Sequence, residues 1–470
     1  MGNFSMKDIL VSILDECSRK YSPQFADIRV FKRVGSSIVI ENGRAFRMYE
    51  YRLHGGCVRV LIDGAWGFSA INDTSKEGLR RAMETAAKMA IAASKRVTEK
   101  RGVAEIRGIE DSVVFPVKIK PEDIPIDQKV KELLEVEKVA RKYHPNIVNT
   151  ILSYGDRHEI EIVANTLGTY TEQDIPRTGI GLLVVTREAG VVQRTHEDTR
   201  GIKGYEVLKE FLDEEKHIRA ATTAVDLLKA RPPPAGKFKA ILSPEVTGLI
   251  VHEAFGHNSE ADAVIAGESI LEGKVGEKVA SELVTMVDDS TIPGAYGSFK
   301  YDSEGTPGRK RVIVEKGILR GFLHSLETAK KLEARPTGSA RADTHHNIPI
   351  VRMSNTYIDA GNWTFEEMLE DIDHGIYFKK SQWGYVFPEK GQFTCNVIVS
   401  YMIRKGEVAE MLRDVSFGGL TLETLKMVDA VGRDLVIPMA GMCGKGGQGA
   451  PVCCGGPHIR VKEVVVGGRA

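Results

Sequence analysis

No part of this 470-residue chain offers an uncharged apolar run long enough to cross a bilayer, so no membrane-spanning helix is expected. Net charge is missing as well, because Lys+Arg and Asp+Glu both number 64. That balance argues against a protein that holds nucleic acid or an anionic membrane by bulk electrostatics. Cysteine is scarce. Six scattered residues suit a reducing cytosol better than a disulfide framework. The N-terminus lacks addressing signals: Met6 stands where a myristoylation pattern needs Ser or Thr, and Asp8, Asp15 and Glu16 break any signal-peptide core. The expectation is a cytoplasmic protein with neither a nucleic-acid nor a membrane partner. There is no short-period repeat and no low-complexity tract. What is present is a soluble, globular composition, 42% hydrophobic and 27% charged, in a chain long enough for two or three domains.

Residues 5–20 place Ile9, Leu10, Ile13, Leu14 and Cys17 at helical intervals. The period then changes to two, and 25–34, 37–41, 44–53 and 57–62 read as strands of an antiparallel meander. Gly35, Asn42-Gly43, Gly55-Gly56 and Asp63-Gly64 read as the breaks between and after them. Thr74 and Glu77 form a capping-box pattern for a long helix whose stripe is Leu79, Met83, Ala86, Ala90, Ala93 and Val97. Its small alanines predict close packing on the sheet. Helices are expected near 127–143 and 204–229, with strand patterns from 147 to 194 in which His158 reads as solvent-facing. Arg231-Pro232-Pro233-Pro234-Ala235-Gly236 suits no helix or sheet interior and reads as a stiff linker. The expected fold is α+β in two domains. Residues 1–231 form an antiparallel sheet with packed helices, and 235–470 a largely antiparallel β domain built around one unusual helix.

That helix begins at Ser243-Pro244, an N-cap followed by proline at the first helical position, and it carries His252-Glu253-Ala254-Phe255-Gly256-His257. Two imidazoles flanking a carboxylate are a compact way to hold a metal and a base together. The familiar spacing from His to His is four residues, which puts both rings on one face. Here it is five, so a regular α-helix would carry the second ring about 140° round from the first. The spacing therefore predicts a π-type bulge or an early helix end around Phe255-Gly256. By the same logic the motif needs a third ligand. Glu260, Asp262, His345, His346, Cys395, Cys443, Cys453 and Cys454 are the candidates. Cys395 alternates with apolar neighbours and reads as a buried structural thiol. Cys453-Cys454 read as small residues in a turn, and Cys443 lies among glycines that either bring backbone close to a site or form a loose tail loop. The long acidic connection 258–300 is a lid candidate. Gly444-Lys445 is no phosphate loop, since no Ser/Thr follows the lysine. No serine sits in a nucleophile elbow.

Taken together, several motifs resemble those of the TldD branch of the TldD/PmbA proteins. They are His252 to His257, Val275-Gly276-Glu277-Lys278-Val279-Ala280-Ser281-Glu282, Asp302-Ser303-Glu304-Gly305-Thr306-Pro307-Gly308 and Gly441-Met442-Cys443-Gly444-Lys445. The N-terminal Val58-Arg59-Val60-Leu61-Ile62-Asp63-Gly64-Ala65-Trp66-Gly67-Phe68 is similar too. The resemblance implies a zinc-dependent peptidase in which His252, His257 and Cys443 hold Zn2+ and Glu253 is the general base. It makes 235–470 the catalytic metal-binding domain and leaves substrate and partner contacts to 1–231. It further implies a PmbA-like (TldE) partner subunit, and unfolded or extended peptide substrates bound by strand addition. Arg341, His345 and His346 are unranked candidates for stabilising an oxyanion. A second reading makes the chain a regulatory or scaffold subunit with a structural metal, which would require a fourth protein ligand such as Glu260 or Cys454. A third reading is metal-assisted hydrolysis of a non-peptide amide.

Overall fold

The structure is a computed structural model that describes residues 5–468; Met1, Gly2, Asn3 and Phe4, part of the segment scanned for lipidation, lie outside the described residues. The fold is the expected mixture of α and β with largely antiparallel sheets. Seven strands form the first sheet: β1 (Phe25–Glu41), β2 (Arg44–Ile62), β3 (Ala65–Ile71), β4 (Glu110–Val114), β5 (Ile147–Asn165), β6 (Tyr170–Glu188) and β7 (Val191–Gly201). Their order is β3-β2-β1-β5-β6-β4, with β7 also on β6, and only β4 runs parallel to its neighbour.

One face of this sheet is covered by helices. Ala26, Ile28 and Val30 of β1 meet α1 (Met6–Tyr21) and α2 (Lys76–Ser94). Further along the same strand, Ile38 and Ile40 meet α3 (Ile126–Arg141), α4 (Val207–Asp213) and α5 (Lys216–Leu227). These are even-numbered positions, and a strand alternates its faces. The odd-numbered Asp27, Arg29 and Arg33 face the C-terminal half of the chain. Arg59 of β2 pairs with Asp27 and reaches Glu304 at 3.1 Å. Arg29 donates to the carbonyls of Thr344 (2.9 Å) and Asn347 (2.6 Å), and Arg33 to Asp343 at 3.1 Å. A charged strand face here is buried against protein, not water.

The C-terminal half contains two large sheets and a two-stranded one. In one of them β8 (Gly236–Leu242), Ile459–Gly468, Val415–Leu420, Gln392–Arg404 and His374–Phe387 pair in a ring, the last strand returning to β8. The other has six strands and ends in the hairpin Val436–Lys445 and Gln448–Gly456, with Val436–Lys445 at its edge. Helix α6 (Pro244–Ile250) lies between the two sheets, with Val246, Leu249 and Ile250 in the main core. Its N-cap Ser243 accepts a hydrogen bond from Val246 N–H, as Ser-Pro predicts.

Several expected boundaries are corrected. β1 and β2 run unbroken through Gly35 and Gly55-Gly56. Those glycines make room: a Cβ on Gly35 would lie 2.2 Å from the Asp156 carbonyl, and one on Gly55 2.3 Å from His345. The true turns are Asn42-Gly43 and Asp63-Gly64, all four residues at positive φ. Ser75, not Thr74, caps α2, which ends before Val97. The expected single helix at 204–229 is two, separated at Glu215 with φ +50°. Cys453 and Cys454 are buried in a strand, not a turn, and the glycine-rich tail around Cys443 is a hairpin. His158 is half-buried and bonded to Glu122 (3.0 Å) and Asp174.

Close packing positions α6. A Cβ on Gly248, one turn before His252, would fall 2.5 Å from the Gly455 nitrogen of the adjoining strand. Backbone cannot yield there as a side-chain tip can. Gly248→Ala is expected to cost about 1–3 kcal/mol of stability in denaturant titration, and an unchanged midpoint would contradict this seam.

Candidate metal centre

Beyond Ile250 the backbone changes its winding. Val251–Gly256 is a π-helical turn in which His257 N–H donates to the His252 carbonyl, five residues back, and a short 3-10 turn, His257–Ser259, follows. Both expected distortions occur in succession. The wider turn brings the imidazoles together, their ring centroids 5.3 Å apart and their planes at 77°. Gly256 contributes space, not unusual torsion. Its φ and ψ are helical, −57° and −49°, but a Cβ would collide with Met353 Sδ at 2.1 Å.

The third partner arrives from the far end of the chain. Gly446 and Gly447, at φ +56° and +71°, close the hairpin that carries Cys443 on its edge strand. Arg352, fully buried, fixes that hairpin through Nη2 to the Cys443 carbonyl (2.5 Å) and Nη1 to the Gln448 carbonyl (3.0 Å). Cys443 Sγ then lies 3.4 Å from His257 Nε2. Donor atoms of His252, His257 and Cys443 all fall within 4.8 Å of one another. Glu253, half-buried, lines the same cleft of about 260 Å³, backed by Gly384, whose Cβ position is 3.2 Å from Glu253 Cγ.

The donor set suits a borderline-soft divalent metal. Two imidazoles and one thiolate are ligands that zinc accepts, and three protein ligands are the number found in catalytic sites. Nδ1 of His252 is buried without a hydrogen-bond partner, a cost of about 1–3 kcal/mol. The electrostatics favour the ligand form of the thiol. Burial pushes the Cys443 pKa up, but hydrogen bonds and charge from His252 and His257 outweigh it and bring it down to about 5. His257 moves the other way: burial lowers it, while Glu260 and the thiolate raise it to about 10. In the metal-free chain the two form an imidazolium–thiolate pair. Glu260 is itself a buried acid, and His257 and Lys445 overcome the desolvation to hold it at about 2.

Of the other candidates, only Cys454 lines the cleft. Glu260 bonds His257 Nδ1 at 3.0 Å, and Asp262 bonds Lys445 at 2.6 Å. Cys395 is buried in its strand as expected. Cys454 faces the Met439 thioether at 3.9 Å from the cleft wall. Arg341 is bonded to the carbonyls of Met353 and Pro451, and His345 to Asn72; neither they nor His346 line the cleft. Nor does any residue of 258–300, although Tyr296 of that excursion meets Met442 of the cleft wall at 3.9 Å. In the motif at 302–308, Asp302 accepts the N–H groups of Glu304, Thr306 and Ala340, each at 2.9 Å, while Glu304 meets Arg59. It joins the two halves of the chain.

Among the six thiols, burial raises the pKa of Cys17, Cys57, Cys395, Cys453 and Cys454, so only Cys443 is ionised at neutral pH. Iodoacetamide at pH 7 is expected to alkylate Cys443 alone in the metal-free chain, with the rate falling as pH drops through about 5. Peptide mapping checks this, and a rate that rises only above pH 8 would contradict it.

Comparison with known proteins agrees with this architecture. Residues 26–90, 119–230 and 235–468 match, in turn, domain 1, the central domain and the C-terminal domain described as PmbA/TldA metallopeptidase. A metalloprotease of Methanothermobacter thermautotrophicus is 39% identical over 464 residues, covering 98% of this chain and 99% of the relative. A zinc metalloprotease TldD homolog of Saccharolobus solfataricus is 28% identical, covering 94% and 96%. The crystal structure of TldE from Thermococcus kodakarensis shares the fold, with a TM-score of 0.79 over 98% of this chain and 100% of that one at 21% identity. This chain belongs to the PmbA/TldD metallopeptidase family.

Proposed function

We propose that the protein is a zinc-dependent peptidase whose metal is held by His252, His257 and Cys443. The observation that carries the reading is the convergence of those three donor groups beside Glu253 in one cleft. Zinc, when bound, supplies a Lewis acid that lowers the pKa of a coordinated water and polarises a carbonyl. Glu253 is the proton carrier. From the cleft wall it takes a proton from the attacking water and returns it to the leaving amine. The backing by Gly384 supports this role, because a larger residue there would meet the Glu253 side chain. The imidazole of His257 is oriented by Glu260, which leaves Nε2 facing Cys443.

The substrate class follows from the sheet edge. The strand Val436–Lys445 has a partner on one side only, so its outer backbone groups are available to an extended peptide. A larger cleft of about 1000 Å³ shares the lining residues Met439 and Ala440 with it, which offers room for residues to one side of the scissile bond. An unfolded segment fits this arrangement better than a folded surface. The reading includes a PmbA-like partner subunit, a cytoplasmic location and a division of the chain into 1–231 and 235–470. No helix among the described residues is long and apolar enough to cross a membrane.

The scaffold alternative requires a fourth protein ligand. Of its two candidates, Glu260 has its oxygens engaged by His257, Lys445 and Met353 N–H, and Cys454, on the cleft wall, faces the Met439 thioether and is outside the group of donor atoms within 4.8 Å of one another. That supports a site with an open position and a catalytic use.

Glu253→Gln is expected to lower hydrolysis of unfolded peptides by about 10²–10⁴-fold while the purified chain retains its zinc. Chromatographic peptide digestion alongside metal analysis checks both. Full activity in that variant would end the mechanism.

A further inference from the structure

Lys445 closes the Gly441-to-Lys445 motif and has no part in the mechanism above. It stands two residues beyond Cys443 on the same strand, so both side chains leave the same face. Its Nζ lies 2.9 Å from Glu260 Oε2 and 2.6 Å from Asp262 Oδ1, and it donates to the Val351 carbonyl at 3.1 Å. Glu260 is 1% exposed. Its Oε2 also meets His257 Nδ1 at 3.0 Å, while Oε1 accepts Met353 N–H at 3.2 Å. Two pairs of residues therefore join the same two segments side by side, His257 with Cys443 and Glu260 with Lys445. One pair supplies donor atoms to the metal; the other is an ion pair buried just behind it.

We infer that Glu260 and Lys445 are positioning residues for the metal centre, a clasp that orients His257 and sets the strand register at which Cys443 meets it. The inference rests on the metal reading above. Glu260 accepts from Nδ1 and so directs the Nε2 lone pair toward the thiolate, the outer-shell arrangement by which carboxylates fix histidine ligands. Lys445 neutralises that buried acid and ties the strand to the end of the helix through two carboxylates. Without Lys445, Glu260 would be a buried charge balanced only by an imidazole, and a neutral imidazole is what the metal needs. A slip of the strand by one residue would turn Cys443 and Lys445 to the opposite face together.

The test is zinc affinity of the full purified chain, measured by competition with a chromophoric chelator, for Glu260→Gln, Lys445→Met and Lys445→Arg. Glu260→Gln and Lys445→Met are each expected to weaken zinc binding by about 10- to 100-fold, with the metal-free proteins keeping the circular dichroism of the parent chain. Lys445→Arg keeps the charge and is expected to restore most of the affinity, which a merely space-filling role would not require. The double variant should lose less than the product of the single losses. If Glu260→Gln does not fold, Lys445→Met decides, because Lys445 is part-exposed. Zinc bound as tightly by Lys445→Met as by the parent overturns the clasp alone. A parent chain that binds no zinc overturns the metal reading as well.

Discussion

A single backbone hydrogen bond, from His257 N–H to the His252 carbonyl, closes a turn one residue wider than that of an α-helix. The rest of the centre depends on it. With regular winding, five residues would turn the second imidazole about 140° away from the first, and no strand placement could bring one thiol to both. The wide turn is accommodated because Gly256 leaves space for Met353, because α6 seats against Gly455 through Gly248, and because a 3-10 turn then releases the chain to Glu260. Irregular winding is held in place by packing on several sides.

The first sheet contributes a different constraint. Its helix-covered face is an ordinary apolar core, but its other face is charged and buried. Arg29, Arg33, Arg59 and Arg177 reach across to carbonyls and carboxylates of residues 296–347. Removing one partner of such a pair leaves a charge without compensation, which is far more costly than the pair is stabilising. These contacts fix the geometry of the segment running from 296 to 347, and Arg341 and Arg352 then reach from its end and just beyond it to the hairpin that bears Cys443. Arginine serves well here because one guanidinium can bond several carbonyls at once.

Much of the site was legible in the sequence because histidine and glutamate at short spacing are rare enough to stand out, and because five-residue spacing has a definite geometric consequence. The start of α6 was legible from Ser243-Pro244 for the same local reason. Cys443 was not decided by spacing: a thiol among glycines reads equally as a loop, and only the resemblance to the TldD branch selected it. Lys445 reads locally as part of a failed phosphate loop, since nothing local reveals that two acids nearly two hundred residues earlier will surround it. Alternation likewise misled. Nothing in the pattern tells Arg29 and Arg33 apart from surface charges, because period two separates faces without saying what lies beyond each. Gly35 and Gly55 looked like turns for a related reason, as glycine marks close approach as often as reversal.

The proposed metal centre requires three side chains from two distant segments to meet at one ion. X-ray absorption at the zinc edge of the purified chain tests that directly. The prediction is one sulfur at about 2.3 Å and two imidazole nitrogens at about 2.0–2.1 Å, with the sulfur lost in Cys443→Ser. A shell of four protein ligands, or one with no sulfur in the parent chain, would contradict it.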